Sequence, residues 1–354
     1  MEKDLDYEYN YFEMFLHWMK KQVLIFIDIE KLSIFVSQQS TYFYTKKKII
    51  ELEEQGMKYS ETTLQTWTVP LSSAEEERVE NTIKMIKDAI RSHNELLLMT
   101  YEIFAQGSYA NNTNVRQNSD IDICVMLTST FYGNYEDGTK ASDYGFSDGS
   151  ISFSDFRKYV IEALRDKFGN LNVKVGNKCI DIDANSYHVN ADVVPAFQYR
   201  DYKIIHSKKA DRFVEGIKFF TQNNEMVINY PKEHLKNGRE KNNATNYQYK
   251  KLVRIMKHIR NNMVGEGLID GEIITSFLVE CLVWNVKNTY ITKHDSWNET
   301  LQDSIAFLWN EINDGHAKEW REVSERRYLF HSDRKWNQDS AKQFLGKMYS
   351  YLEY

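Results

Sequence analysis

The chain lacks any long hydrophobic run: nowhere do roughly eighteen apolar residues follow one another, the length that a membrane-crossing helix needs. The strongest candidate, residues 23–29, contains Asp28 and is followed by Glu30 and Lys31, so it reads as a core strand or a buried helix. A basic leader is lacking too. Glu2, Asp4 and Asp6 stand near the start, and a cytoplasmic protein without membrane contact is expected. Cysteine is scarce, three in 354 residues, and Cys124, Cys179 and Cys281 lie far apart inside apolar stretches. That spacing excludes a disulfide framework and a zinc-ligand pattern, leaving buried thiols. Basic charge is not in excess: the net charge of −6 argues against a dedicated binder of long nucleic-acid duplexes. With only three prolines, 42% hydrophobic and 14% aromatic residues, the composition suits a well-packed globular core. The length fits two domains or one two-lobed unit.

What is present is concentrated in one stretch. Gln106-Gly107-Ser108 ends a short strand pattern that begins at Tyr101, and after an Asn-rich connection comes Ser119-Asp120-Ile121-Asp122. Gly107 permits a sharp turn and a close backbone approach to a bulky phosphate, and Ser108 adds a hydroxyl donor. Residues two apart on a strand share a face, so Asp120 and Asp122 project together while Ile121, Ile123, Val125 and Leu127 face a core. Paired carboxylates repel each other unless a cation lies between them, and hard oxygen ligands suit Mg2+ or Mn2+, here a pair of ions. A third carboxylate is expected at Asp192, in a strand-like stretch that Pro195 stops. A second Asp-x-Asp, Asp181 and Asp183, has no Gly-Ser turn upstream. It is set aside as the polar face of a hairpin strand that partners the Asp192 strand. A Gly-Ser alone is usually a turn and an Asp-x-Asp alone a solvated strand edge; their combination, with a third carboxylate, points to nucleotidyl transfer.

Residues 1–70, aromatic-rich and without a chemical motif, read as an N-terminal extension packed on the core. Ser72 and Ser73 with Glu75 and Glu76 make a capping-box pattern, after which Val79, Ile83, Ile86 and Ile90 recur at helical spacing. Residues 71–200 are then a catalytic lobe: this long helix, the strands, a flexible loop over 132–154, a helix over 155–168, and a hairpin turning near Ala184 to Ser186. Over 201–354 the periodicity is mostly helical, clearest at 247–263, 272–285, 298–312 and 340–351. The expected fold class is α+β, a bilobal arrangement of a mixed β-sheet lobe and a helical lobe. Over 232–263 nine Lys or Arg residues stand against Glu233 and Glu240, a basic segment that suits a nucleoside triphosphate held across a cleft from the carboxylates.

These residues resemble the polymerase-β-type nucleotidyltransferases, and more closely the bacterial cyclic-oligonucleotide synthases related to cyclic GMP–AMP synthase (CD-NTases). The likeness covers about 72–354. It rests on Gln106-Gly107-Ser108-Tyr109-Ala110-Asn111, Ser119-Asp120-Ile121-Asp122, Ala191-Asp192-Val193-Val194-Pro195-Ala196-Phe197, Asn229-Tyr230-Pro231-Lys232-Glu233-His234 and Tyr249-Lys250-Lys251-Leu252-Val253-Arg254-Ile255-Met256-Lys257. The first two motifs are shared with many nucleotidyltransferases, whereas the last three pull toward the CD-NTase branch.

The resemblance implies that Asp120, Asp122 and Asp192 hold the metals, with Asp192 also helping to deprotonate the attacking hydroxyl. It places Gln106, Gly107 and Ser108 on the donor's terminal phosphates. Lys257 and Ser276 would grip the triphosphate from the helical lobe, with Lys250 and Lys251 as rivals for Lys257. Phe277 sits where relatives can place a base-stacking aromatic, a core Phe being the alternative. His188, His234 and His258 read as structural. The implied activity joins NTPs, ATP among them, into a cyclic di- or trinucleotide second messenger with release of pyrophosphate, in bacterial antiphage signalling. The alternatives are transfer of NMP to an RNA end, a protein or a small molecule, and a catalytically silent nucleotide-binding module. A monomer is expected; a regulatory protein partner is left open.

Overall fold

The computed structural model describes residues 57–70, 73–115 and 120–354. Most of the 1–70 extension, Ser72 of the capping-box pattern and Ser119 lie outside the described residues. Lys58–Tyr354 is one compact unit.

The helices that build the unit are α1 (Glu61–Trp67), α2 (Ser73–Ser92), α3 (Gly107–Ala110), α4 (Phe153–Phe168), α5 (Pro231–Ala244), α6 (Gln248–Gly265), α7 (Ser276–Asn285), α8 (Trp297–Asn313) and α9 (Gln338–Tyr351). Their starts carry the expected chemistry. Ser152, Thr275, Ser296 and Asn337 each accept a hydrogen bond from a first-turn backbone N–H of α4, α7, α8 and α9, and Pro231 occupies the first turn of α5, where its missing N–H costs nothing. The strands are β1 (Tyr101–Gln106), β2 (Ile121–Asn134), β3 (Val173–Val175), β4 (Ile180–Ile182), β5 (Ala191–Asp201), β6 (Val214–Phe220) and β7 (Met226–Asn229).

These strands form one mixed sheet in the order β1-β2-β5-β4-β3. β2 and β5 run parallel, and the other pairs are antiparallel. The first residues of β5 pair with β4, and its last residues pair on the same edge with β6, which in turn pairs with β7. Alternation sorts the faces. Ile121, Ile123, Val125 and Leu127 of β2 join Ala191 and Val193 of β5 in a core against α2 and α4, contributed by Ile86, Ile90, Phe156, Val160 and Leu164. The opposite face, beyond a smaller cluster of Cys124, Met126, Val194 and Ala196, is left for polar residues.

The structure corrects two sequence readings. The loop expected from residue 132 begins later, because Phe131–Asn134 resume pairing with Gln198–Asp201 of β5 after a register shift that follows Leu127. The stretch after residue 201 is not purely helical either, since β6 and β7 extend the sheet; Val214, Ile217 and Phe219 are buried there. Four- to seven-residue strands carry too few alternations to stand out from sequence alone.

The helical lobe packs α5–α9 around Leu252, Ile255, Met256, Leu278, Leu282, Leu301 and Phe344, and α1 joins it through the buried Leu64. Glu61 of α1 accepts from the backbone N–H of Trp297 (2.5 Å) and Asn298 (3.2 Å), placing an anion at the start of α8. Much of the basic segment faces inward. Arg254 is buried and donates to the carbonyls of Thr68 and Asn112, while Lys257 and Arg260 are buried as well. Among the described residues no helix is long and apolar enough to cross a membrane.

Candidate active site

Strand register assembles the acidic cluster. Gln106 of β1 lies opposite Asp122 of β2, Asp122 opposite Asp192 of β5, Asp192 opposite Asp181 of β4, and Asp181 opposite Lys174 of β3. Cross-strand partners share a face, so one row of side chains crosses the sheet with three carboxylates in succession. Asp120 precedes the first residue of β2 and is exposed. Its charge nonetheless acts on both Asp122 and Asp192.

The energetic consequence is large. Burial first, then the charges of Asp192 and Asp120, push the Asp122 carboxyl from 3.8 up to about 7. Burial, Asp120 and Asp181 raise Asp192 to about 6. Near neutral pH the row is therefore short of positive charge, which divalent cations bound by oxygen ligands supply. The carboxylates of Asp122, Asp192 and Asp181 are oxygen donors of the type such ions take, and the ligand atoms of Asp181, Asp192 and the softer Cys179 come within 4.8 Å of one another. Cys179 donates its Sγ–H to Asp181 Oδ1 at 3.0 Å.

The Gly-Ser turn is fitted to this row. Gly107 has φ +70, and a Cβ built on it would lie 2.0 Å from Asp122 Oδ2, so both its backbone angle and the carboxylate's position require glycine. The turn closes as α3, with the Asn111 amide donating to Gly107 O at 3.2 Å.

A cavity of about 490 Å³ opens between this turn and the helical lobe. Gln106, Gly107, Ser108 and Asp122 line one side, and Lys257, Ser276 and Phe277 line the other. Seven of the anticipated site residues thus meet in one space, with Asp120 and Asp192 beside it. Of the three candidate lysines, Lys257 lines the cavity; Lys250 and Lys251 do not. Its ammonium contacts Glu280 Oε2 at 2.6 Å and Thr113 Oγ1 at 3.2 Å, and Glu280 also receives Thr113 Oγ1 at 2.9 Å and His234 Nε2 at 2.9 Å. Burial alone would raise the Glu280 carboxyl, but Lys257 and His234 outweigh it and hold the group well below its ordinary value. His234 is thus a half-buried partner of Glu280, and the half-buried His258 stacks on Trp67. Counting the lining, Asp122, Glu280 and Glu322 stand against Lys257 and Arg334. That balance disfavours a triphosphate unless cations accompany it.

The sequence reading missed part of the wall. Asn229, Tyr230 and Pro231 line the cavity, as do Glu322, Ser324, Arg334 and Trp336. The Arg334 guanidinium pairs with Glu322 and lies 5.7 Å from the Phe277 ring centre and 5.4 Å from that of Trp336. Phe277 lies on this wall and only partly in the core, 6.1 Å from Trp336 and 5.9 Å from the His234 ring. Asp181, set aside from sequence as a polar hairpin residue, stands directly beside Asp192. The available signal was its place one turn before a strand bearing Asp192, which a hairpin pairing brings into line.

A Gly-Ser turn against a carboxylate row, with a helical lobe closing a cavity over both, defines a nucleotidyltransferase. Residues 83–182 match the nucleotidyltransferase domain family, and residues 236–353 match the cGAS/DncV-like nucleotidyltransferase C-terminal helical domain. The chain is 42% identical over 298 residues to a cyclic dipyrimidine nucleotide synthase CdnE of Cecembia lonarensis, covering 84% of this chain and 99% of that protein. The solved CdnE cyclic dinucleotide synthase of Elizabethkingia meningoseptica, with GTP and Apcpp, superposes with a TM-score of 0.70 at 32% identity, covering 84% of this chain and 100% of that one. The c-UMP-AMP synthase CdnE of Rhodothermus marinus superposes with a TM-score of 0.72 at 28% identity, covering 82% and 95%. The chain belongs to the CD-NTase family of cyclic-oligonucleotide synthases.

Gly107→Ala tests the fit of turn to row. The strained φ and the displaced Asp122 carboxylate should cost about 1–3 kcal/mol in urea melts. Because about 1 Å of misplacement can cost on the order of 100-fold in rate, steady-state turnover should fall at least that far.

Proposed function

We propose that the protein joins two NTPs into a cyclic dinucleotide in this cavity, with pyrimidine nucleotides as leading substrates and two Mg2+ or Mn2+ ions as cofactors. The supporting observation is that Asp122, Gly107 and Ser108 share one cavity with Lys257, Ser276 and Phe277. Asp120, Asp122 and Asp192 are the residues that hold the ions. When bound, such ions lower the pKa of an attacking hydroxyl and neutralise a leaving pyrophosphate.

The protein's own groups do the rest. Gln106, Gly107 and Ser108 hold the donor's terminal phosphates from the sheet side, and Lys257 and Ser276 hold them from the helical side. Asp192, between Asp122 and Asp181 in the row, takes the proton of the attacking ribose hydroxyl. Phe277 offers its face to a base. The same cavity then serves twice: once for the linear intermediate and again, with the product turned round, for closure of the ring. The pyrimidine preference rests on two relatives, 42% and 37% identical, that are both cyclic dipyrimidine nucleotide synthases.

The test is to supply all four NTPs with one labelled at a time, add Mg2+, treat with phosphatase and resolve the products. Label from UTP or CTP should persist in a phosphatase-resistant species. Resistant label from ATP and GTP alone would overturn the pyrimidine preference, and no resistant label at all would overturn the cyclic product.

A further inference from the structure

Glu280 is a buried charge in contact with the cavity, and nothing in the chemistry described so far uses it. It sits in an otherwise apolar stretch of α7, Leu278-Val279-Glu280-Cys281-Leu282, at 4% exposure. Three groups from three different elements converge on it: Lys257 of α6, His234 of α5, and Thr113, which follows the Gly-Ser turn. Thr113 in turn reaches back to that turn, its backbone N–H donating to Ser108 O at 2.9 Å. A single carboxylate thus ties the sheet side of the triphosphate site to the helical side.

We propose that Glu280 is a positioning residue for triphosphate binding, orienting the Lys257 ammonium and fixing the Ser108 turn at a set distance from it. The proposal rests on the reading of the cavity as a nucleotide site. An ammonium has three donors. Two are engaged by Glu280 and Thr113, and Lys257 lines the cavity with the third left to offer. At 2% exposure Lys257 is tolerable as a cation only beside a counter-charge. Without the Glu280 carboxylate the lysine either loses its proton or turns to another anion, and in both cases the phosphate loses a charged donor. The strength of charge-assisted bonds makes this costly.

The probe is inorganic tripolyphosphate with Mg2+, which needs no base, titrated calorimetrically below the melting temperature of each protein. Glu280→Gln should weaken binding about ten-fold, Lys257→Met should weaken it similarly, and the double variant should be no worse than the weaker single one. Glu280→Asp, which keeps the charge, should fall between the wild type and Glu280→Gln. A purely structural role would lower the melting temperature and leave the Kd unchanged. Unchanged or tighter binding by Glu280→Gln, or multiplicative effects in the double variant, would overturn the proposal while leaving the nucleotide site intact. Absence of tripolyphosphate binding by the wild type would overturn both. Should Glu280→Gln fail to fold, Glu280→Asp against Lys257→Met carries the same comparison, with a smaller loss in Glu280→Asp than in Lys257→Met supporting it, and an equal or greater loss in Glu280→Asp opposing it.

Discussion

Asp122→Asn is expected to lose at least about three orders of magnitude of turnover, since two-metal charge neutralisation supplies several kcal/mol and each 1.4 kcal/mol is about ten-fold. The same variant should melt no lower than the wild type in the absence of divalent cations. The two outcomes have one cause. The Asp122 carboxyl is held at about 7 against an ordinary 3.8, so ionising it in the folded protein is unfavourable. Asparagine keeps the shape and removes the charge. At pH 8 without metal the variant should gain on the order of 2–4 kcal/mol, less what the lost solvation and hydrogen bonding return. Rates of phosphatase-resistant product and metal-free thermal melts check both halves. A variant that is inactive and also strongly destabilised would point to Asp122 as a packing residue, and an active one would remove it from the chemistry.

The metal-free wild type should itself lose stability as pH rises from 5 to 8. A carboxyl whose folded pKa is raised stabilises the fold while protonated, an effect fully present below the ordinary value near 4. It is lost as pH climbs through the folded values, about 6 for Asp192 and about 7 for Asp122. Excess Mg2+ should restore the melting temperature at pH 8 and do little at pH 5, where protons already occupy Asp122 and Asp192. Glu280 carries the opposite sign. Its lowered value contributes stability above the ordinary carboxyl range and loses it only as pH falls into and below that range, so it does not disturb the window from 5 to 8. Melts across pH with EDTA and with Mg2+ measure the effect. A flat metal-free profile would mean that the carboxylates are not crowded as described.

Much of the site was legible because it is written locally. Gly107, Asp120 and Asp122 follow from turn geometry and from a two-residue strand period, and the alternation that sends Ile121 and Ile123 to the core is the same fact seen from the other face. Asp181 was read as the polar face of the strand that partners the Asp192 strand, and β4 does pair with β5; what stayed hidden is the register that sets Asp181 opposite Asp192. A pairing register is not a local property, and one Asp-x-Asp looks like another until the strands are aligned. Net charge along a sequence does not say which cations of the basic segment point inward: Arg254 is a buried tie to the Thr68 and Asn112 carbonyls, while Lys257, buried as well, lines the cavity. Glu322, Arg334 and Trp336 come from an irregular stretch with no period to read. Glu280 was readable in principle, since a lone acid among apolar helix residues must find partners. Their identities required the fold.

Phosphodiester formation at the Asp122–Asp192 row, ending in a closed ring, is measured by exact-mass analysis of phosphatase-treated reactions containing UTP, CTP, ATP, GTP and Mg2+, run side by side with the wild type and Asp192→Asn. A resistant product with the mass of two linked nucleoside monophosphates and no terminal phosphate should be present for the wild type and lacking for the variant. Linear oligonucleotides alone, or the same cyclic product at the wild-type rate from Asp192→Asn, would contradict this.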